Sequence, residues 1–158
     1  MGDEAIDPRQ RTDPLELEPV TGDLPAGFEK LRAEALAEGF RQVERFAAEW
    51  ASRTTRFDRG GEALLAAGLN GELAGIGGLT IEPVVPGALR MRRFYVRPQF
   101  RRYGVGRKLA TAVLEQRGQT ARLVTVNAAA GSILFWEALG FEPDMREGHT
   151  HVLKPEGR

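Results

Sequence analysis

The residues best suited to chemistry lie together in Phe94–Lys108, FYVRPQFRRYGVGRK. An aromatic and β-branched run ends at Val96, and Pro98 stiffens the loop that follows. Gly104 and Gly106 then open a segment with Val105, Leu109, Ala112 and Val113 at helical spacing. The first N–H groups of a helix have no internal partner, and with the helix dipole they favour an anion. Alternate glycines remove the Cβ atoms that would hold a phosphate away from the backbone. Arg101, Arg102, Arg107 and Lys108 add positive charge at the same turn. The pattern predicts a phosphate site where a strand passes into a helix.

The charge bias extends beyond that turn. No Asp or Glu occurs from Pro83 to Leu114, a stretch that holds Arg90, Arg92, Arg93, Arg97, Arg101, Arg102, Arg107 and Lys108. Over the whole chain, 22 basic residues balance 22 acidic ones, so this block implies a local anionic partner rather than a generally basic protein. Two common phosphate-binding fingerprints are absent. A P-loop needs Gly-x-x-x-x-Gly-Lys-Ser/Thr, which is missing. A dinucleotide fold needs a third glycine where Leu109 stands and an acid on the next strand, which reads RLVTV.

The elements that must position this turn follow from the apolar pattern. Leu15–Val20 alternates as a first strand. Asp23 is placed to cap a helix with Pro25 in its first turn and Phe28, Leu31, Ala35 and Leu36 on one face; Gly39 stops it. Phe40, Val43, Phe46, Ala47 and Trp50 predict a second helix. Glu62–Leu69 and Glu72–Thr80 flank Asn70-Gly71, the signal of a type I′ hairpin. Glycines 75, 77 and 78 inside the second run predict a bulge or a close approach. Ala88–Val96 is a further strand, Gly104–Arg117 a helix, Arg122–Val126 a buried strand and Ala128–Leu139 a last helix ending at Gly140. Phe141 and His149–Lys154 supply the final strands. The order β-α-α-β-β-β-α-β-α-β-β predicts one α/β (α+β) domain over residues 14–158, preceded by a disordered arm over residues 1–13.

Arg101-x-x-Gly104-x-Gly106 after Tyr95-Val96-x-Pro98 resembles the acetyl-CoA signature of the GNAT N-acetyltransferase superfamily. Downstream, Asn127-Ala128 and Phe135-Trp136-Glu137-Ala138-Leu139-Gly140-Phe141 are similar to that family's strand-Asn, helix, Gly-Phe ending. The resemblance spans Leu15 to Lys154. It implies a GNAT-like acyl-CoA N-acyltransferase fold: a mixed sheet of six to seven strands, splayed in the middle and flanked by about four helices. It further implies that acetyl-CoA is the co-substrate. By carry-over, the backbone of Phe94, Tyr95 and Val96 pairs with the pantetheine arm. The N–H groups of Arg102, Tyr103, Gly104, Val105, Gly106 and Arg107, next to Arg101, surround the pyrophosphate. Asn127 bonds the pantetheine or the acceptor side, and Phe135 and Trp136 line the thiol end. The backbone of Tyr95 and Val96 positions the thioester and its developing oxyanion.

Two departures from the family affect the chemistry. Trp136 stands where many members carry a Tyr that protonates the leaving thiolate, and an indole N–H has no useful acidity. The stretch that often carries a basic Glu reads Arg90-Met91-Arg92-Arg93. Glu82, His149 and His151 remain as candidate bases. If Arg90 or Arg92 faces the acceptor, that acceptor bears a carboxylate or phosphate. The expected activity is direct acetyl transfer to a primary amine of a small molecule or peptide. The alternative is a non-catalytic acyl-CoA-binding regulatory module.

Composition narrows the remaining classes. The absence of cysteine excludes a thiolate nucleophile and a Cys-ligated metal, and no metal site is expected. Zero net charge and the lack of interleaved aromatics argue against nucleic acid as a partner. No apolar run spans a bilayer and the acidic first residues are not a secretory signal, so the expected compartment is the cytoplasm, with no membrane partner. Dimers are common in the family, which leaves a homodimer among the possible assemblies.

Overall fold

Positive φ at both Asn70 (57°) and Gly71 (79°) closes a tight hairpin between β2 (Ala63–Leu69) and β3 (Glu72–Ile81), as the Asn-Gly pair predicts. β1 (Glu16–Pro19) lies antiparallel on the far edge of β2, and β4 (Leu89–Val96) lies antiparallel on β3. β4 then pairs in parallel with β5 (Val124–Val126). β7 (His151–Leu153) and β6 (Glu142–Pro143) complete a mixed seven-stranded sheet of order β1-β2-β3-β4-β5-β7-β6. This computed structural model describes residues 15–117, 122–144, 146 and 148–155, so the arm expected over residues 1–13 lies outside it.

Four helices cover the two faces. α1 (Phe28–Ala37) and α2 (Gln42–Ser52) bury Phe28, Leu31, Phe46 and Trp50 against Leu64, Ile76 and Tyr95. On the other face α3 (Val105–Glu115) and α4 (Ile133–Ala138) bury Leu109, Val113 and Trp136 against Leu79, Met91 and Val124. The element order matches the sequence pattern throughout.

Three local expectations change. Asp23 does not cap α1: the helix starts at Phe28 with Gly27 (φ 89°) as its N-cap and no side-chain cap, which leaves Pro25 in the preceding turn. The last helix does not begin at Ala128. Thr150 Oγ1 accepts the Ala128 N–H at 2.9 Å and holds that residue extended, so a short 3-10 turn at Ala130–Ser132 precedes α4. The final strand covers only His151–Leu153 of the expected His149–Lys154.

The glycines of β3 explain a kink in β4. Ile76 pairs with Tyr95 and Gly78 with Arg92, so Gly77 alone opposes both Arg93 and Phe94. That two-against-one register is a β-bulge, with Arg93 at φ 63°. A Cβ on Gly77 would lie 2.4 Å from the Phe94 ring, and that ring is itself set edge-on against Trp136 at 5.2 Å between centroids. Gly77→Ala should therefore cost about 1–3 kcal/mol of stability in urea unfolding, because the added Cβ would force the Phe94 ring off its contact with Trp136. A variant as stable as the parent would show that the glycine is not required by this packing.

Candidate active site

Two strand-bound devices open the sheet between β4 and β5. The strands share only the register pairs Leu89↔Val124 and Arg90↔Thr125. One further step of a parallel ladder would bond the Asn127 N–H to the Met91 carbonyl, and that pair is not made. On the β5 side, Thr150 draws the chain toward β7: its N–H donates to the Val126 carbonyl at 3.0 Å, and its Oγ1 accepts from Ala128. On the β4 side, the bulge reverses which residues face the gap. Tyr95 and Arg97 lie on the β3 side of the ladder, with the Arg97 N–H on the Ala74 carbonyl at 2.8 Å. By alternation the Val96 N–H faces β5 across the gap. Of Tyr95 and Val96, Val96 thus turns its N–H into the gap, whereas the Tyr95 backbone faces β3. The Val96 carbonyl accepts from Arg101 Nε at 2.8 Å, and the Phe94 carbonyl from Gln42 Nε2 at 3.3 Å.

The turn into α3 lies at the end of β4. Arg102 (φ 71°) and Gly104 (φ 80°) are both left-handed, which turns successive N–H groups to one side. The first backbone bond of the helix is the Lys108 N–H to Gly104 at 3.0 Å. The six N–H groups of Arg102, Tyr103, Gly104, Val105, Gly106 and Arg107 have no acceptor among the described residues. Arg102, Arg107 and Lys108 are exposed and make no ion pair with the described residues. Gly106 has a packing role as well, since a Cβ there would meet Phe135 at 3.3 Å and Val96 at 3.5 Å.

Other sequence-selected residues are engaged in the scaffold. Arg101 pairs with Glu38 at 2.6 and 2.9 Å, and Arg97, 1% exposed, pairs with Glu34 at 2.8 and 3.1 Å. Those guanidiniums hold Glu38 and Glu34 below the usual carboxylate range. The Tyr95 hydroxyl donates to Glu38 at 2.5 Å; burial, then that carboxylate, raises its pKa, so it is a poor proton donor. Trp136 is buried edge-on against Phe94, Phe135 and Phe141, a core position next to the gap. Asn127 is exposed at the mouth of the gap, and its side chain has no hydrogen bond to the described residues.

The candidate bases are held by partners. Glu82 is buried rather than a solvated strand end. It accepts from the N–H groups of Val84 and Val85 (2.8 Å for Val85), from Thr125 Oγ1 at 2.8 Å, and lies 3.7 Å from Arg90. Burial alone would raise its pKa, but these donors outweigh it and the carboxyl stays below its usual range, a weak base. His151 Nε2 sits 3.0 Å from Glu137 and its Nδ1 2.8 Å from Thr150. His149 Nε2 lies 2.5 Å from Asp144. β5 separates β7, the strand of His151, from β4.

Sequence reasoning passed over Glu49 and gave Arg93 no partner. Arg93 donates to Glu49 of α2 at 2.8 Å, and Arg92 lies 3.9 Å from the same carboxylate. Two successive arginines on one face, in a strand that otherwise alternates, were the available signal of the bulge. Arg90 and Arg92 project to the α2 face, opposite α3.

A family sequence model described as an acetyltransferase (GNAT) domain matches residues 27–153. No curated protein matches the chain. Among solved structures, a provisionally named acetyltransferase of Exiguobacterium sp. 255-15 superposes with a TM-score of 0.80 at 24% identity, over 90% of this chain and 94% of that one. A provisionally named GNAT family member from Desulfovibrio desulfuricans gives 0.68 at 19%, over 89% and 99%. A GNAT acetyltransferase from Brucella melitensis, solved in complex with acetyl-CoA, gives 0.61 at 18%, over 91% and 89%.

Glu82 ties the end of β3 to the last paired step of β4 and β5. Glu82→Gln should cost about 2 kcal/mol in urea unfolding at pH 7, the loss of charged hydrogen bonds. Because the folded carboxyl is depressed, its contribution is complete above the ordinary glutamate range and fades as pH falls through the folded value. The gap between parent and variant should therefore narrow at pH 3. An unchanged gap would show that the charge of Glu82 is not what the clip uses.

Proposed function

The chain belongs to the GNAT acetyltransferase family, which uses acetyl-CoA, and on that premise we propose that it transfers the acetyl group to a primary amine by direct attack on the thioester. The observation that carries this reading is the alignment of two features: six consecutive N–H groups at the head of α3 and the backbone groups that edge a gap in the sheet, none of which finds a backbone partner among the described residues. A diphosphate fits the first, and an extended amide-bearing arm fits the second as a strand would. Bound acetyl-CoA supplies an acetyl group already activated as a thioester.

The residues of this chain then act by position. The Arg102–Arg107 amides and the free charges of Arg102, Arg107 and Lys108 hold the phosphates. Asn127 and the Met91 carbonyl border the arm. The Val96 N–H is aimed into the gap, where it can polarise the thioester carbonyl and stabilise negative charge on its oxygen. With Glu82, His149 and His151 all bonded to other groups, the amine arrives neutral; as its nitrogen bonds the acetyl carbon and the carbon–sulfur bond breaks, it gives up a proton to water, and the departing thiolate takes one from solvent. The rate gain then rests on orientation. Trp136 takes no part in proton transfer. The acceptor is a small molecule or peptide amine, and a homodimer and a cytoplasmic setting belong to the same proposal.

Calorimetric titration tests the phosphate turn. Replacing Arg102 and Arg107 together by Gln should weaken acetyl-CoA binding on the order of tenfold at low salt, with the deficit shrinking at high salt as exposed charges are screened. Unchanged affinity would remove the turn from the reading. Trp136→Phe should keep turnover of any accepted amine within about tenfold, a barrier change under ~1.4 kcal/mol. A loss of several orders of magnitude in a folded Phe variant would mean that the indole acts in the reaction.

A further inference from the structure

On the acetyl-transfer reading above, we infer that the acceptor is a small amine carrying its own anionic group, a carboxylate or phosphate, which sits in the cavity where the C-terminal end of α2 meets β3 and β4. The cavity holds about 330 Å³, at the small end of ligand sites. Arg53, Arg56, Arg59 and Arg92 line it, together with Thr80 and two acidic residues.

The charges there do not cancel internally. Of the two acids, Glu62 accepts a backbone N–H on each oxygen, from Arg59 at 3.1 Å and from Ile81 at 3.0 Å. Asp58 is exposed and is the other acid, against four arginines. Arg56 bonds only carbonyls, those of Trp50 at 3.0 Å and Gly22 at 3.3 Å, while lying 4.4 Å over the Trp50 ring. Arg92 lies 3.9 Å from Glu49, beyond hydrogen-bond reach, and that carboxylate is bonded to Arg93 at 2.8 Å. Arg90 and Arg93 crowd Arg92 with like charge; burial first, then these neighbours, lower its pKa. Thr80, 3% exposed, has a buried hydroxyl with no partner. A partly buried guanidinium without a bonded carboxylate beside an unsatisfied hydroxyl matches an anion with several acceptor oxygens.

The location links this pocket to the reaction. Arg92 directly precedes the bulge at Arg93-Phe94, the part of β4 that faces the gap. Its side chain lies on the α2 face, whereas the phosphate turn heads α3 on the other. The donor would enter from one face and the acceptor from the other, with the anion in the pocket fixing how far its amine reaches.

Inorganic phosphate, titrated calorimetrically at saturating acetyl-CoA so that the α3 turn is filled, is the direct probe. Saturable binding to the parent, weakened at least tenfold by Arg92→Gln and by Arg59→Gln, is the expected result. Arg59 is exposed, so its variant keeps the test open if Arg92→Gln fails to fold. No saturable binding, or equal binding to both folded variants, overturns the proposal. Matched acceptors then assign the site: amino acids against their amides, and phosphoethanolamine against ethanolamine. The anionic member of one pair should lead at least tenfold in kcat/KM, and Arg92→Gln should erase that lead. Equal rates within both pairs overturn the acceptor assignment. Failure of acetyl-CoA itself to bind would instead defeat the acetyl-transfer reading, and the phosphate titration would still decide the anion pocket.

Discussion

The structure depends on β4 and β5 pairing for two register steps and then parting. A parallel sheet interior normally satisfies every backbone group, so leaving the Asn127 N–H and the Met91 carbonyl without each other is costly unless something takes their place. Two independent anchors keep the strands apart. Thr150 bonds the β5 tail on its β7 side, and the bulge opposite Gly77 bends β4 while Arg93 grips Glu49 on α2. Glu82, bonded to Thr125 and to the Val84-Val85 turn, secures the last closed step. The opening is thus fixed in the fold before any ligand arrives, which favours binding an extended arm without a large ordering cost.

The arginine-rich stretch is not one diffuse field. Arg97 pairs with Glu34 of α1 and Arg101 with Glu38, the residue that ends that helix, locking the end of β4 to the helix that covers it. Arg102, Arg107 and Lys108, at the head of α3, make no ion pair with the described residues and lie beside the turn proposed to hold the phosphates. Arg90, Arg92 and Arg93 form a third group on the α2 face, where Glu82 and Glu49 compensate only part of the charge. Sequence position alone could not divide these groups, because the division follows which face of β4 each side chain leaves from, and the bulge resets that alternation.

The sequence carried much of the fold. Asn70-Gly71, the helical spacing in α1 to α3 and the strand-glycine-helix junction were local signals, each set by a few neighbours, and each element appears where expected, although Leu36 is exposed and Phe40 lies outside α2. The errors share one cause. Asp23, Ala128 and the ends of β7 were judged from local propensity, whereas Gly27, Thr150 and strand pairing decide them. At the site, the glycine turn was legible because backbone conformation itself is the signal. Thr125 as a partner of Glu82 and Glu137 as a partner of His151 were not, since each lies on a separate element brought close only by folding, and the bonds of Glu82 to Val84 and Val85 and of His149 to Asp144 depend on how their loops turn. The packing of Trp136 was not legible either: Phe94, Phe135 and Phe141, from β4, α4 and the segment after it, meet its ring only in the fold.

Backbone amide exchange, followed by NMR with and without acetyl-CoA, tests the central claim most directly, because it reads the N–H groups on which the account rests. Protection should rise at Arg102–Arg107 and at Val96 and Asn127, with little change along β1 and β2. Protection gained elsewhere, or none at the α3 turn while acetyl-CoA is bound, would contradict the account.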